Sequence, residues 1–288
     1  MQKTRTLFLE IPETFNFRQT VLSHGWCQLL PFEFDSENHR LSYVFRNSDK
    51  TVSAIISESD GKLEIEISDG EINEAQILRD VRHILRLDDD LSNFYKLTKK
   101  KFAWISETNA GRLLRSPTVF EDLVKTVCTT NCSWALTKNM TKNLVEKLGT
   151  PTIDGKKAFP TAAQMASESA DFYKNEIRAG YRAAYFAELA EKVANGKINP
   201  ESWLNSDLPT KELKREMKQI KGVGDYAAEN LLKLVGRYDG LALDSYLRAQ
   251  FYKKRNGETV CDDKEIEKFY EQFGSWRGLV MWCDMSIK

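Results

Sequence analysis

The chain has 288 residues, 41% of them hydrophobic and 29% charged, and its 42 basic and 42 acidic side chains cancel. This is the composition of a soluble globular protein with room for one large domain or two ordinary ones. No stretch approaches ~18 uninterrupted apolar residues, which excludes a membrane-spanning helix.

The first residues, MQKTRTLFLEIPETF, lack a continuous apolar run, so no secretory signal is expected. Residues 1–70 read mainly as strands. Segments 41–45 (LSYVF) and 51–56 (TVSAII) are rich in β-branched and aromatic residues, and 62–68 (KLEIEIS) alternates strictly, with Leu63, Ile65 and Ile67 on one face. The clusters NSDK and ESDGK between them predict the turns of an antiparallel meander. Residues 71–87 predict a helix, with Ile72, Ile77, Val81, Ile84 and Leu85 near a 3–4 residue period.

From about residue 91 the pattern turns helical. Helices are expected over 92–98, 119–128, 134–148, 162–169, 174–196, 210–220, 225–235, 245–254 and 264–273, with Pro and Gly at the breaks. The fold class is therefore α+β: a small N-terminal antiparallel sheet domain with a closing helix (1–90), then a mostly helical body (91–288). Charge divides the same way. Residues 1–90 hold 10 basic and 17 acidic side chains, and residues 91–288 hold 32 and 25, so a polyanionic partner would meet the later part.

Cys27, Cys128, Cys132, Cys261 and Cys283 are scattered, which fits free thiols in a reducing compartment. Cys128 and Cys132 share a helix face, but His24, His39 and His83 are far from them in sequence. No metal site is expected.

The most informative segment is 211–248. Leu213, Met217 and Ile220 form one apolar stripe, and Lys211, Lys214, Arg215, Lys218 and Lys221 crowd the other positions. After Gly222-Val223-Gly224 a second stripe follows: Ala227, Ala228, Leu231, Leu232 and Val235. The pattern predicts a helical hairpin over 210–236. Its glycines leave no side chain to block a phosphate, and free N–H groups at the next helix start form an anion site. Taken alone, a G-x-G turn is a weak signal. Asp244 follows Leu241-Ala242-Leu243 and heads the next helix. An Asp there is ordinarily an N-cap, and a cap still leaves one oxygen free. When a glycosidic bond breaks, a carboxylate so placed can stabilise the sugar cation and direct water.

The hairpin with the following LALD resembles the helix-hairpin-helix/Gly-Pro-Asp DNA glycosylase superfamily, in its 3-methyladenine glycosylase II and 8-oxoguanine glycosylase branch. GRLLRSPTVFEDLVKTVCTTN (111–131), GYRAAYFAELA (180–190) and FYEQFGSWRGLVMWCD (269–284) agree in the same order, and FNFRQTVLSHGW (15–26) agrees more loosely. The four-cysteine iron–sulfur signature of some repair enzymes is missing.

The resemblance implies that Asp244 is catalytic and that Gly222, Val223 and Gly224 hold backbone phosphate, with a monovalent cation at the hairpin as an option and no other cofactor required. Lys218 and Lys221 flank that grip. Bifunctional 8-oxoguanine enzymes carry a Schiff-base lysine two residues after the second hairpin glycine; Tyr226 stands there, as an aromatic does in alkylpurine glycosylases. A monofunctional enzyme for a flipped, alkylated purine such as 3-methyladenine is the expectation. An oxidised-purine glycosylase, with or without lyase activity, and a non-catalytic DNA-binding hairpin protein are the alternatives. Asn131, Tyr181 and Arg182 resemble positions that fill the gap and touch the opposite strand; Tyr181 reads equally as a core aromatic. Leu136 replaces the arginine that reads an opposite cytosine. Trp134, Phe273, Trp276 and Trp282 join Tyr226 as candidates for the base pocket. The partner implied is double-stranded DNA bearing a damaged base. A monomer is expected, nucleoid-associated in the cytoplasm of a bacterium or nuclear in a eukaryote.

Overall fold

The structure is a computed structural model that describes residues 4–47, 50–68 and 72–286. Five antiparallel strands form the N-terminal sheet: β1 (Thr4–Glu10), β2 (Glu33–Asp35), β3 (Arg40–Asn47), β4 (Lys50–Ser59) and β5 (Lys62–Ser68), in the order β1-β5-β4-β3-β2. β3 and β4 extend the first two expected strands, and β5 spans the expected third one. β1 lies along β5, pairing Thr4 with Ser68 and Glu10 with Lys62. Period-two alternation does the sorting: Leu63, Ile65 and Ile67 turn inward with Leu41, Phe45 and Ile56. Against them packs helix Glu74–Ile84, capped by the Asn73 side chain and burying Ile77, Val81 and Ile84. It is shorter than expected because Arg86 takes a left-handed φ of 56° just beyond it. Glu71, and Ser48 and Asp49 of the first expected turn, lie outside the described residues.

The remainder is helical, and the fold is α+β. The expected helix 174–196 is broken into Ala170–Asn175, a 3-10 turn at Gly180–Arg182, and Ala183–Ala194. Arg178 and Gly180, both at positive φ, turn the chain there. A further helix, Arg277–Ser286, closes the described chain. Its Leu279, Val280, Met281, Cys283 and Met285 are all buried, so it lacks the polar stripe that marks a surface helix in sequence.

Two apolar clusters fill the interior, and they do not divide at residue 90. One joins the sheet and the chain as far as Leu114 to the C-terminal part between Leu234 and Met285. The other lies between Val119 and Val235. The sheet is also tied to helix Val119–Thr129 by a buried polar chain. The Tyr43 hydroxyl donates to Glu121 at 2.6 Å, and Glu121 pairs with fully buried Lys125 at 2.6 Å. All five cysteines are free thiols. No helix among the described residues is long and apolar enough to cross a membrane.

Candidate active site

The hairpin forms as its pattern dictates. Helix Thr210–Met217 buries Leu213 and Met217, and helix Asp225–Leu234 buries Ala227, Ala228, Leu231 and Leu232 against it. Gly222 sits at φ 90°, and a Cβ there would lie 2.9 Å from the Tyr185 ring, so both backbone and space demand glycine. Gly224 differs: its φ is an ordinary −86°, and a Cβ would meet nothing within 4 Å. It caps the second helix without a side-chain hydrogen bond, leaving the first-turn N–H groups open to an anion.

The basic flank is partly neutralised. Lys218 pairs with Asp225 at 2.8 Å, Lys221 with Glu188 at 2.5 Å, and Lys214 with Asp225 and Glu229 at 3.0 and 2.5 Å.

The loop carrying Asp244 is held from the second hairpin helix. Glu229 accepts the Ala242 N–H at 2.5 Å, and Lys233 Nζ donates to the Leu241 carbonyl at 3.1 Å. Ala242, at a left-handed φ of 52°, turns the chain so that Asp244 can cap helix Ser245–Arg255. Asp244 Oδ1 accepts the Leu247 N–H at 2.7 Å, whereas Oδ2 accepts no hydrogen bond among the described residues.

Asp244, Tyr226 and the Gly222–Gly224 turn line one cleft of about 1270 Å³. Burial, and next the Asp244 charge, push the Tyr226 phenol up to about 12. Trp134 and Trp282 line the cleft too. Trp134 packs where a Cβ on Gly25 would fall and donates to Gln28 at 2.9 Å, while Trp282 donates to the Ser23 carbonyl at 2.9 Å. Lys218, Lys221, Asn131 and Tyr181 stand around the same cleft, with Tyr181 54% exposed.

Chains of the same architecture are known. No protein-family model matches the chain. A Saccharomyces cerevisiae N-glycosylase/DNA lyase is 27% identical over 172 residues, which is 54% of this chain; the match spans 45% of that relative's length. A Clostridium acetobutylicum 8-oxoguanine glycosylase/lyase, solved with double-stranded DNA containing cytosine opposite 8-oxoguanine, superposes with a TM-score of 0.76 at 20% identity. That superposition covers 99% of this chain and 96% of the other. The 3-methyladenine DNA glycosylase of Archaeoglobus fulgidus superposes with a TM-score of 0.77 at 17% identity, over 96% and 98% of the two chains. The chain has the helix-hairpin-helix DNA glycosylase fold.

Within this glycosylase fold three expected site residues lie away from the cleft. Phe273 is 3% exposed and packs its ring 5.7 Å from Phe102. Trp276 stacks on Tyr238 at 5.2 Å. Phe273 belongs to the apolar cluster that also holds the sheet residues, and half-buried Trp276 packs against that cluster. Arg182 is also buried. Its guanidinium holds the Thr130 carbonyl and hydroxyl and lies 4.4 Å from the Tyr181 ring, so it shapes the Thr130-Asn131 turn from beneath. Leu136, 36% exposed, does not line the cleft.

The inner end holds residues that sequence reading missed. His24 and Trp26 come from the N-terminal part of the chain, their rings 4.7 Å apart. His24 Nε2 lies 2.5 Å from the Leu114 carbonyl, so Nε2 carries the proton and Nδ1 is left as an acceptor. Burial lowers its pKa to about 4, which keeps the ring neutral at pH 7. Asn230, Lys233 and Leu234 continue the cleft-facing side of the helix from Tyr226 at the 3–4 residue period. That period was the available signal. For His24 and Trp26 the signal was only the looser resemblance of segment 15–26, because the partners that fix them, Leu114 and Asp122, lie 90 and 96 residues away in sequence.

Proposed function

We propose that this chain is a monofunctional DNA glycosylase: it extrudes a damaged purine from duplex DNA and hydrolyses its N-glycosidic bond. The observation that carries this is Asp244, whose cap bond fixes the carboxylate while Oδ2 stays uncommitted in the cleft that also holds the hairpin turn. In the proposed reaction the hairpin N–H groups take a backbone phosphate, Tyr226 and the tryptophans wall the base, and Asp244 stabilises the cationic sugar and directs water to it. Tyr226 cannot form an imine, so strand cleavage by β-elimination is not expected from that position.

A monovalent cation at the hairpin is part of the proposal. The carbonyls of Lys221, Gly222 and Val223 accept no backbone hydrogen bond among the described residues, so they are free to take such an ion. Such an ion would add positive charge beside the bound phosphate.

Tyr226, able to stack on an electron-poor ring, favours an alkylated purine such as 3-methyladenine. A second reading, an oxidised purine, draws support from a different observation: the buried amine of Lys233 beside the cleft. Duplexes carrying single lesions of both kinds, scored separately for base release and for strand nicking, test the reading. Base release without nicking is expected. No release from any lesion would leave only a DNA-binding hairpin protein.

A further inference from the structure

Lys233 is 2% exposed, yet no carboxylate pairs with it among the described residues. Glu229, one turn earlier on the same helix, is committed to Lys214 and to the Ala242 N–H. One of the three ammonium N–H groups donates to the Leu241 carbonyl, and the charge lies 5.5 Å from the centre of the Trp282 ring. A buried cation without a partner is destabilising, so its presence beside a cleft points to a ligand that completes it.

The burial of the lining residues says where in the cleft it sits. Tyr181 and Tyr246, at the rim, are 54% and 51% exposed, whereas Trp26, Leu113 and Lys233 are all under 8% and form the inner end with Trp282. An extruded base would enter that end. Burial lowers the Lys233 amine to about 8, against the opposing pull of Glu229 and Asp244, so the ammonium form predominates at pH 7.

We propose that the Lys233 ammonium acts on the departing base, stabilising negative charge as the glycosidic bond breaks, and so selects neutral purines over cationic ones. The inference rests on the glycosylase reading of Asp244. In the step itself the bond between C1′ and the purine nitrogen breaks with its electron pair on the base. Water adds to C1′, and the proton that water gives up ends on the base when the base leaves as an anion, and in solvent when it leaves neutral. A neutral purine with a ring carbonyl, such as 8-oxoguanine or hypoxanthine, leaves as an anion and offers oxygen to the two free N–H groups. An N-alkylated purinium enters positive and leaves neutral. It gains nothing from the ammonium and is repelled on arrival. Lys233 thus opposes the stacking preference of Tyr226 and supports the second reading above, a neutral oxidised or deaminated purine.

The test compares single-turnover base release from duplexes carrying one hypoxanthine, one 8-oxoguanine or one 7-methylguanine. Lys233→Met, which keeps the length without the charge, should lower the rate on the neutral bases relative to 7-methylguanine at least tenfold. Lys233→Gln, a second neutral replacement, should shift the ratio the same way. A packing role would move all three rates by one factor, and an unchanged ratio overturns the proposal. So does a borohydride-trapped adduct of the wild-type protein that Lys233→Met abolishes, since that would make the amine a nucleophile. Base release by Asp244→Asn at the wild-type rate would sink the glycosylase reading itself. An inactive Asp244→Asn with an unchanged Lys233→Met ratio would sink only the role of Lys233. No release by the wild type from any of the three sinks both.

Discussion

The Glu229 carboxylate accepts the Ala242 N–H at 2.5 Å and thereby fixes the Asp244 loop to the second hairpin helix. The same carboxylate holds Lys214 of the first hairpin helix, so one side chain ties both helices to the candidate catalytic loop. It also sets the loop's composition, since a Cβ on Gly240 would fall 2.8 Å from the Glu229 side chain.

Glu229→Ala should release that loop. A charge-assisted hydrogen bond of this kind contributes about 1.5–3 kcal/mol. If that energy holds Asp244 in place, base release should slow by about 10- to 100-fold. Duplex affinity should change far less, because the hairpin turn is intact. Single-turnover rates and fluorescence-anisotropy binding separate the two; an equal loss in both would mean that the hairpin itself had come apart.

The two hairpin glycines should behave differently. Gly222→Ala forces a side chain into a left-handed position against Tyr185 and should cost at least about 1–2 kcal/mol in urea denaturation. Gly224→Ala meets open space and should cost only the modest penalty of alanine at a helix N-cap, up to about 1 kcal/mol. Its methyl group would instead stand where a phosphate must approach, so duplex binding should weaken by about tenfold, or 1.4 kcal/mol. Full DNA affinity in Gly224→Ala would contradict a phosphate grip at this turn.

The Lys233 charge should be visible in stability as a function of pH. Its pKa is depressed from 10.5 to about 8, with burial the largest cause. Below pH 8 both folded and unfolded chains bind the proton, and the folded state bears the full cost, about 3 kcal/mol. Between pH 8 and 10.5 the unfolded chain binds more protons, so this contribution to stability rises with pH. Lys233→Met removes the cost but strands the Leu241 carbonyl, at a loss of about 1 kcal/mol. At pH 7 the variant should be the more stable by about 2 kcal/mol, and its advantage should fade as pH approaches 10.5. A constant difference across that range would show that the amine is not desolvated as described.

Local pattern made much of this molecule legible. The alternation of Leu63, Ile65 and Ile67 predicted β5, and the paired apolar stripes around Gly222 and Gly224 predicted the hairpin. The head of helix Ser245–Arg255 was equally plain from Asp244. What stayed hidden depends on contacts distant in sequence. Phe273 and Trp276 look like pocket aromatics in one dimension, and only their packing on Phe102 and Tyr238 turns them into the core. Arg182 looks like a DNA-facing base until the Thr130 carbonyl claims it. Lys233 reads as the polar side of an amphipathic helix. It is buried because the Leu241 loop and helix Arg277–Ser286 close over that side, and no periodicity reports this.

Asp244→Asn separates the proposed catalytic role of Asp244 from its role as a helix cap. Asparagine keeps an oxygen for the Leu247 N–H, so the cap and the fold should survive. Single-turnover assays on a duplex lesion that the wild type processes should show unchanged binding and a rate of base release reduced at least 100-fold. Release at the wild-type rate by a folded, DNA-bound Asp244→Asn protein would leave Asp244 a helix cap and nothing more.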